Sequence, residues 1–171
     1  HAAARRAREA LELSDMPPEY RQIFEADTIT RADLAALAMV KVTALSRLPP
    51  GPSRVAVDVA GSWARDHILR ALSLEVMTVY PNHTFQPAAT VRRGDLARVV
   101  QRVLDLVKHP TGTLPRITDM APNNLFHYPA TRAVGAGLMD LTSAGAFEAW
   151  RPVSGREAAA VLENLARLVG P

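Results

Sequence analysis

Three helical stretches of this chain begin at one fixed interval, and that regularity limits the folds open to it. VRRGDLARVVQRVLDLV runs from residue 91 to 107, and its Leu96, Val99, Val100, Val103, Leu104 and Val107 recur at helical spacing to make one buried stripe. ITRADLAALAMVKVTAL starts at Ile29 and VSGREAAAVLENLARLV at Val153, so the separations are 91 − 29 = 62 and 153 − 91 = 62 residues. Equal spacing of like helices identifies an array of repeated units.

The material ahead of each helix repeats less evenly and sets the unit boundaries. Asp58 corresponds to Asp119, Val76-Met77 to Leu138-Met139, and Phe85 to Phe147. Each full unit therefore reads as an aspartate-led turn, a helix of about four turns, an irregular loop and a second helix. The first unit has only SDMPPEYRQIFEADT, from Ser14, ahead of its helix, and is truncated. Units are expected over 14–48, 55–108 and 116–169, within a domain spanning 14–171. The proline-bearing RLPPGPSR and KHPTGTLPR stretches act as connectors. Residues 1–13 read as a separate amphipathic helix, with Ala7, Ala10, Leu11 and Leu13 as its buried positions, placed to close an upstream helical-repeat region. With no period-2 strands, the class is all-α.

A chain of 171 residues buries a core without covalent staples, and the absence of cysteine removes disulfides and thiolate chemistry. No apolar run reaches the roughly 20 residues of a membrane span. The first residue is His1 and not Met, which predicts a fragment or processed product whose targeting segment lies elsewhere. The net charge of +3, from 20 basic and 17 acidic residues spread along the chain, reads as a solvated surface; it is compatible with anionic partners. An aromatic content of 5% argues against a stacking platform for single-stranded nucleic acid.

The ordered motifs resemble the S-layer homology domain, whose units carry an aspartate turn, a Trp-Ala helix, a Gly-Tyr-Pro-Asp-Gly-Thr-Phe-x-Pro loop and a Thr-Arg-Ala-Glu helix start. The second unit has Asp58, Trp63-Ala64, the loop Tyr80 to Pro87 and Arg92-Arg93-Gly94-Asp95; the first has Ile29-Thr30-Arg31-Ala32-Asp33; the third has Asp119, Gly137-Leu138-Met139, Phe147 and Ser154-Gly155-Arg156-Glu157. The resemblance implies a pseudo-three-fold helical assembly in which the first helix of each unit joins a central bundle. It also implies grooves between units that hold cell-wall polysaccharide, often pyruvylated, and so fix a protein to the envelope outside the cytoplasm. A ketal-linked pyruvate is a carboxylate, and an arginine at a helix start would offer it a charged fork beside free backbone N–H groups. On this basis Arg31, Arg93, Trp63, Thr30 and Asp95 are the residues nearest a glycan.

Several of these residues also have plain structural duties. Thr30-x-x-Asp33 and Ser154-x-x-Glu157 are capping boxes or near relatives, and Asp95 is a cap of the same kind. Asp58 and Asp119 read as caps of the helices they precede, Trp63 as a groove wall or a buried wedge, Trp150 as exposed or partner-facing, and Tyr80 and Phe85 as loop anchors against the following helix. Gly155 stands where the first two units have arginine, so the third groove is expected to be dead. In the second unit, Glu75, Val79 and His83 replace glycines usual around the loop. The five histidines show no metal-ligand spacing, and neither a nucleophile elbow nor a phosphate loop is present, so neither enzyme activity nor a cofactor is expected. Drifted grooves of this kind would equally suit a scaffold that binds other envelope proteins.

Overall fold

The computed structural model describes all of residues 1–171 and contains seven α-helices and no strand, an all-α fold. The helices are α1 (Ala2–Ser14), α2 (Pro18–Ile23), α3 (Arg31–Lys41), α4 (Arg65–Ser73), α5 (Arg93–Leu106), α6 (His127–Gly135) and α7 (Gly155–Val169). A 3-10 turn over Thr43–Arg47 follows α3. The apolar stripe read in α5 is the buried one: Leu96, Val99, Val100, Val103 and Leu104 are each at most 2% exposed, while Val107 caps the helix half-buried.

The three long helices α3, α5 and α7 converge at their N-terminal ends. There the N–H of Ile29 donates to the Val153 carbonyl (3.1 Å), that of Val153 to Val91 (3.2 Å), and that of Val91 to Ile29 (2.9 Å). This closed ring of backbone hydrogen bonds joins three positions that follow one another at 62-residue intervals, and all three side chains are buried. Thr30 and Thr90 form one isolated antiparallel bridge beside it, and Arg92 and Pro152 another.

It is these second helices that meet in the middle, and this differs from the bundle of first helices that the resemblance implies. The helix α4 packs on α3 and α6 packs on α5, while α7 touches both α3 and α5. At nine residues each, α4 and α6 are also shorter than the four turns expected. The residues ahead of them are held in turns, because Asp58 and Asp119 face away from the helices they precede. The two oxygens of Asp58 accept the N–H groups of Phe85 (2.7 Å) and Gln86 (2.8 Å), and those of Asp119 accept Phe147 (2.9 Å) and Glu148 (2.8 Å). Each aspartate is thus a clamp on its own unit's distant loop and not a helix cap.

The α1 helix forms as expected, but of its stripe only Leu13 packs against the core. Of Ala7, Ala10, Leu11 and Leu13 only Leu13 is half-buried, and Leu11 is 66% exposed. The facing surface carries Lys41, Glu163 and Arg167, and α1 presents Arg5, Arg6 and Glu9 to it, so a wet cleft of about 590 Å³ separates the two.

Left-handed backbone positions repeat with the same period as the helices. Gly137, Gly145 and Gly170 have φ of 74°, 78° and 78°, and the residues 62 positions earlier, Glu75, His83 and Lys108, are held at 59°, 59° and 56°. A side chain in that region carries a steric cost that glycine avoids. His83 is exposed and its side chain makes no hydrogen bond, whereas Glu75 pairs with Arg54. His83→Gly is therefore expected to stabilise the fold by about 0.5–1 kcal/mol, raising the melting temperature by about 2 °C. Thermal and urea unfolding of the variant check this, and a fall in stability would contradict it.

Candidate functional site

Each of the three helix starts is completed by a neighbouring loop, which decides what a ligand could reach. At α3, the N–H of Arg31 donates to the Ala89 carbonyl (2.9 Å), that of Ala32 to Pro87 (3.0 Å), and that of Asp33 to Thr30 Oγ1 (3.2 Å). At α5, the N–H groups of Arg93 and Gly94 reach the carbonyls of Arg151 and Ala149 (2.9 Å each). At α7, the N–H of Gly155 reaches Ala26 (2.9 Å), and that of Glu157 reaches Ser154 Oγ (3.1 Å). All the orphan donors at the start of α3 are taken, whereas the Asp95 N–H at α5 and the Arg156 N–H at α7 make no hydrogen bond within the protein. The expectation of free N–H groups beside the arginines is corrected at α3, whereas beside Arg93 the Asp95 N–H remains unbonded.

The arginines themselves clasp the next loop. Arg31 donates from Nε to the Phe85 carbonyl (2.8 Å) and from Nη2 to Thr78 (2.7 Å), with its guanidinium carbon 4.5 Å from the Phe85 ring centre and 5.0 Å from that of Tyr80. Arg93 repeats the pattern on Phe147 (2.9 Å) and Asp140 (2.8 Å), and lies 4.6 Å from the Phe147 ring centre. Its remaining fork nitrogen, Nη1, pairs with Glu157 at 2.9 Å, and the residue is 7% exposed. Phe85 and Tyr80 accordingly anchor the loop against the preceding unit's arginine. Burial lowers the pKa of Arg31, and the neighbouring Tyr80, Asp95 and Asp58 only partly oppose this. Arg31 keeps one fork nitrogen, Nη1, without a protein partner, whereas all three guanidinium nitrogens of Arg93 are engaged.

The capping boxes divide their parts between units. The complete box is at α3, where Thr30 accepts from Asp33 and Asp33 accepts from the Thr30 N–H (2.9 Å). At α5 Asp95 accepts from the Arg92 N–H (2.9 Å), but arginine returns no acceptor. At α7 Ser154 caps, while Glu157 turns to Arg93 and Arg151.

Beside these starts the surface differs from unit to unit. Between α2–α3 and the turn after Asp58 lies an open cleft of about 610 Å³, walled by Glu19, Thr30, Asp33, Asp58, Ser62 and Trp63. The corresponding positions, 62 residues on except Asp119, which is 61 beyond Asp58, form a smaller cleft of about 340 Å³ around Arg92, Asp95, Asp119 and Asn124. There Phe126 presses on Gly94, where a Cβ would come within 2.7 Å of the ring, and Arg92 bonds the carbonyl of Trp150 (2.7 Å), whose side chain is 65% exposed. At the third start a Cβ on Gly155 would stand 1.6 Å from the Ile23 carbonyl oxygen. The short first unit brings the end of α2 onto α7 and leaves no room for an arginine.

Of the five residues picked from sequence, Thr30 and Trp63 therefore share the open cleft. Asp95 lies in the smaller one, Arg93 lies with Glu157 and Arg151 in a third cleft of about 420 Å³, and Arg31 lies on the loop side of α3. Trp63 is half-buried in the turn ahead of α4. Sequence reading missed Glu19 and Gln22 of α2 as cleft walls, since the truncated first unit has no counterpart in the other two. It also missed Arg70 and Arg132, 62 apart. Arg70 donates to the carbonyls of Leu45 (3.0 Å) and Leu48 (2.6 Å), and Arg132 to that of His109 (2.9 Å); their spacing was the signal that could have found them.

Residues 57–97, from the Asp58 turn through the loop to the first turn of α5, match the family model of the S-layer homology domain. The matched stretch is similar to that family, whose domains are in general non-catalytic modules that anchor proteins to the cell wall. No curated protein matches the chain by sequence. No helix is long and apolar enough to cross a membrane.

Removing the Arg93 side chain strips two loop carbonyls and Glu157 of their partner. Arg93→Ala should destabilise the fold by about 3 kcal/mol, and the more exposed Arg31→Ala by about 1–2 kcal/mol; equilibrium unfolding in urea measures both. The Asp58 carboxyl is raised by burial but held below its ordinary 3.8 by the Phe85 and Gln86 N–H groups and by Arg31. Its folded pKa is the lower one, so its contribution is fully present above pH 3.8 and is lost as pH falls through the folded value. Acid unfolding of Asp58→Asn should therefore be less steep below pH 3.8 than that of the wild type.

Proposed function

We propose that this chain is a non-catalytic module that holds a larger protein on cell-wall polysaccharide outside the cytoplasm, and that the sugar lies in the cleft beside Trp63. The observation that carries this reading is the coincidence of the family match with that cleft. Within 57–97 the chain keeps an aromatic wall at Trp63, and Thr30, Asp33, Asp58 and Ser62 surround it with hydroxyl and carboxylate groups. An indole face takes the apolar side of a pyranose ring while such groups take its hydroxyls.

Pyruvylated glycan, the ligand implied by the family resemblance, would meet Arg31 and Arg93 on the loop side, where most of their donors are engaged with carbonyls. The Trp63 cleft is the better candidate for a sugar contact. A second reading, a scaffold for other envelope proteins, is favoured by the filled second and third helix starts and by the exposed Trp150 and Leu125 near the smaller cleft. Retention on purified cell walls separates the two. Trp63→Ala should weaken retention by about tenfold or more while Trp150→Ala leaves it unchanged, with melting curves showing that both variants fold. Loss with Trp150→Ala alone would favour the protein-scaffold reading.

A further inference from the structure

The charge around Trp63 has a consequence for which glycan the cleft accepts. Its charged walls are Glu19, Asp33 and Asp58, all acidic, and no lysine, arginine or histidine lines it. The arginine of the adjoining helix start does not line the cleft, because Arg31 donates to the Phe85 and Thr78 carbonyls, and its charge reaches only Asp58 among the three. Two of the carboxylates are held in place. Asp33 is held by the Thr30 N–H, and both oxygens of Asp58 are held by loop N–H groups that favour its ionised form. Glu19, on the first turn of α2, makes no hydrogen bond or ion pair and is exposed at the rim.

Accepting the wall-glycan reading on which this rests, we propose that the Trp63 cleft selects its polysaccharide by charge. It takes sugars bearing free amino groups best, uncharged N-acetylated sugars less well, and carboxylated sugars such as pyruvyl ketals poorly. An ammonium group entering the cleft meets three partly solvated carboxylates, whereas a sugar carboxylate meets like charge with no cation among the lining residues. The second cleft differs in the relevant respect. Arg92 stands there in place of Thr30, and its walls hold one cation against two carboxylates, Asp95 and Asp119. Charge preference is thus a property of the first cleft and not of the whole surface, which carries a net charge of +3 and would by itself favour anions.

The test measures binding of the whole chain to four soluble probes at low and at moderate salt: a glucosamine hexamer, an N-acetylglucosamine hexamer, a pyruvate-ketal-bearing polysaccharide, and that polysaccharide after mild acid removes the ketal. The expected order is amine over N-acetyl by about fivefold, and ketal-free over ketal-bearing by a similar factor, both ratios shrinking as salt rises. Glu19→Gln should narrow the ratios and Glu19→Lys should close or reverse them; neither touches a hydrogen bond of the fold. Trp63→Ala should abolish binding of all four probes. Binding that depends on Trp63 yet favours the ketal-bearing polymer, or is indifferent to charge, would overturn the charge inference and leave the glycan reading standing. Failure of the wild type to bind any probe in a Trp63-dependent way would overturn both.

Discussion

The ring of hydrogen bonds among Ile29, Val91 and Val153 is the constraint on which the remaining structure depends. A buried helix start has N–H groups that water cannot reach, and each must find an acceptor. Here the acceptors come from other parts of the chain: Ala89 and Pro87 serve α3, Arg151 and Ala149 serve α5, and Ala26 serves α7. The segments of these three helices contribute only the hydroxyl caps of Thr30 and Ser154 and the carboxylates of Asp33 and Asp95. A single repeat lifted from the chain would leave these donors and its apolar stripe exposed together, which is why such units are stable only in company.

This dependence explains the arginines. A loop that must deliver two carbonyls to a neighbouring helix start has to be held in one conformation, and Arg31 and Arg93 hold it through Nε and Nη2 on equivalent carbonyls and a stacked phenylalanine. Asp58 and Asp119 grip the same loops from the other end through two N–H groups each. Loop, clamp and arginine form one unit of support. Where the first unit is cut short, its loop is replaced by the end of α2, the Ile23 carbonyl occupies the arginine's place, and Gly155 follows as a steric necessity.

What the sequence made legible was whatever repeats at 62 residues and acts locally. The long helices, their buried stripes and the complete cap at Thr30 follow from patterns within a single turn or two. The Asp58 clamp was misread because an aspartate ahead of a helix looks like a cap, and its actual partners lie 27 and 28 residues on, in a loop with no helical or strand pattern to announce them. The α1 stripe, exposed except at Leu13, was misread for the opposite reason: amphipathicity says that a face prefers burial, not that a partner exists along its whole length. Glu19 and Gln22 were invisible because they belong to the one unit that breaks the repeat.

The same physics separates holding the fold from recognising a ligand. Were Arg31 to turn toward a sugar carboxylate, the Phe85 and Thr78 carbonyls would lose their donor and the loop that completes α3 would lose its brace, so part of any binding gain would be offset by loss of order at the helix start. Trp63 and Ser62 carry no such burden in the ring, because the turn they occupy supplies none of the carbonyls that complete α3, α5 or α7. A groove assembled from residues outside the supporting network can change its chemistry without unfolding the array. The open cleft is where the chain has that freedom, and its acidic walls are what the chain has made of it.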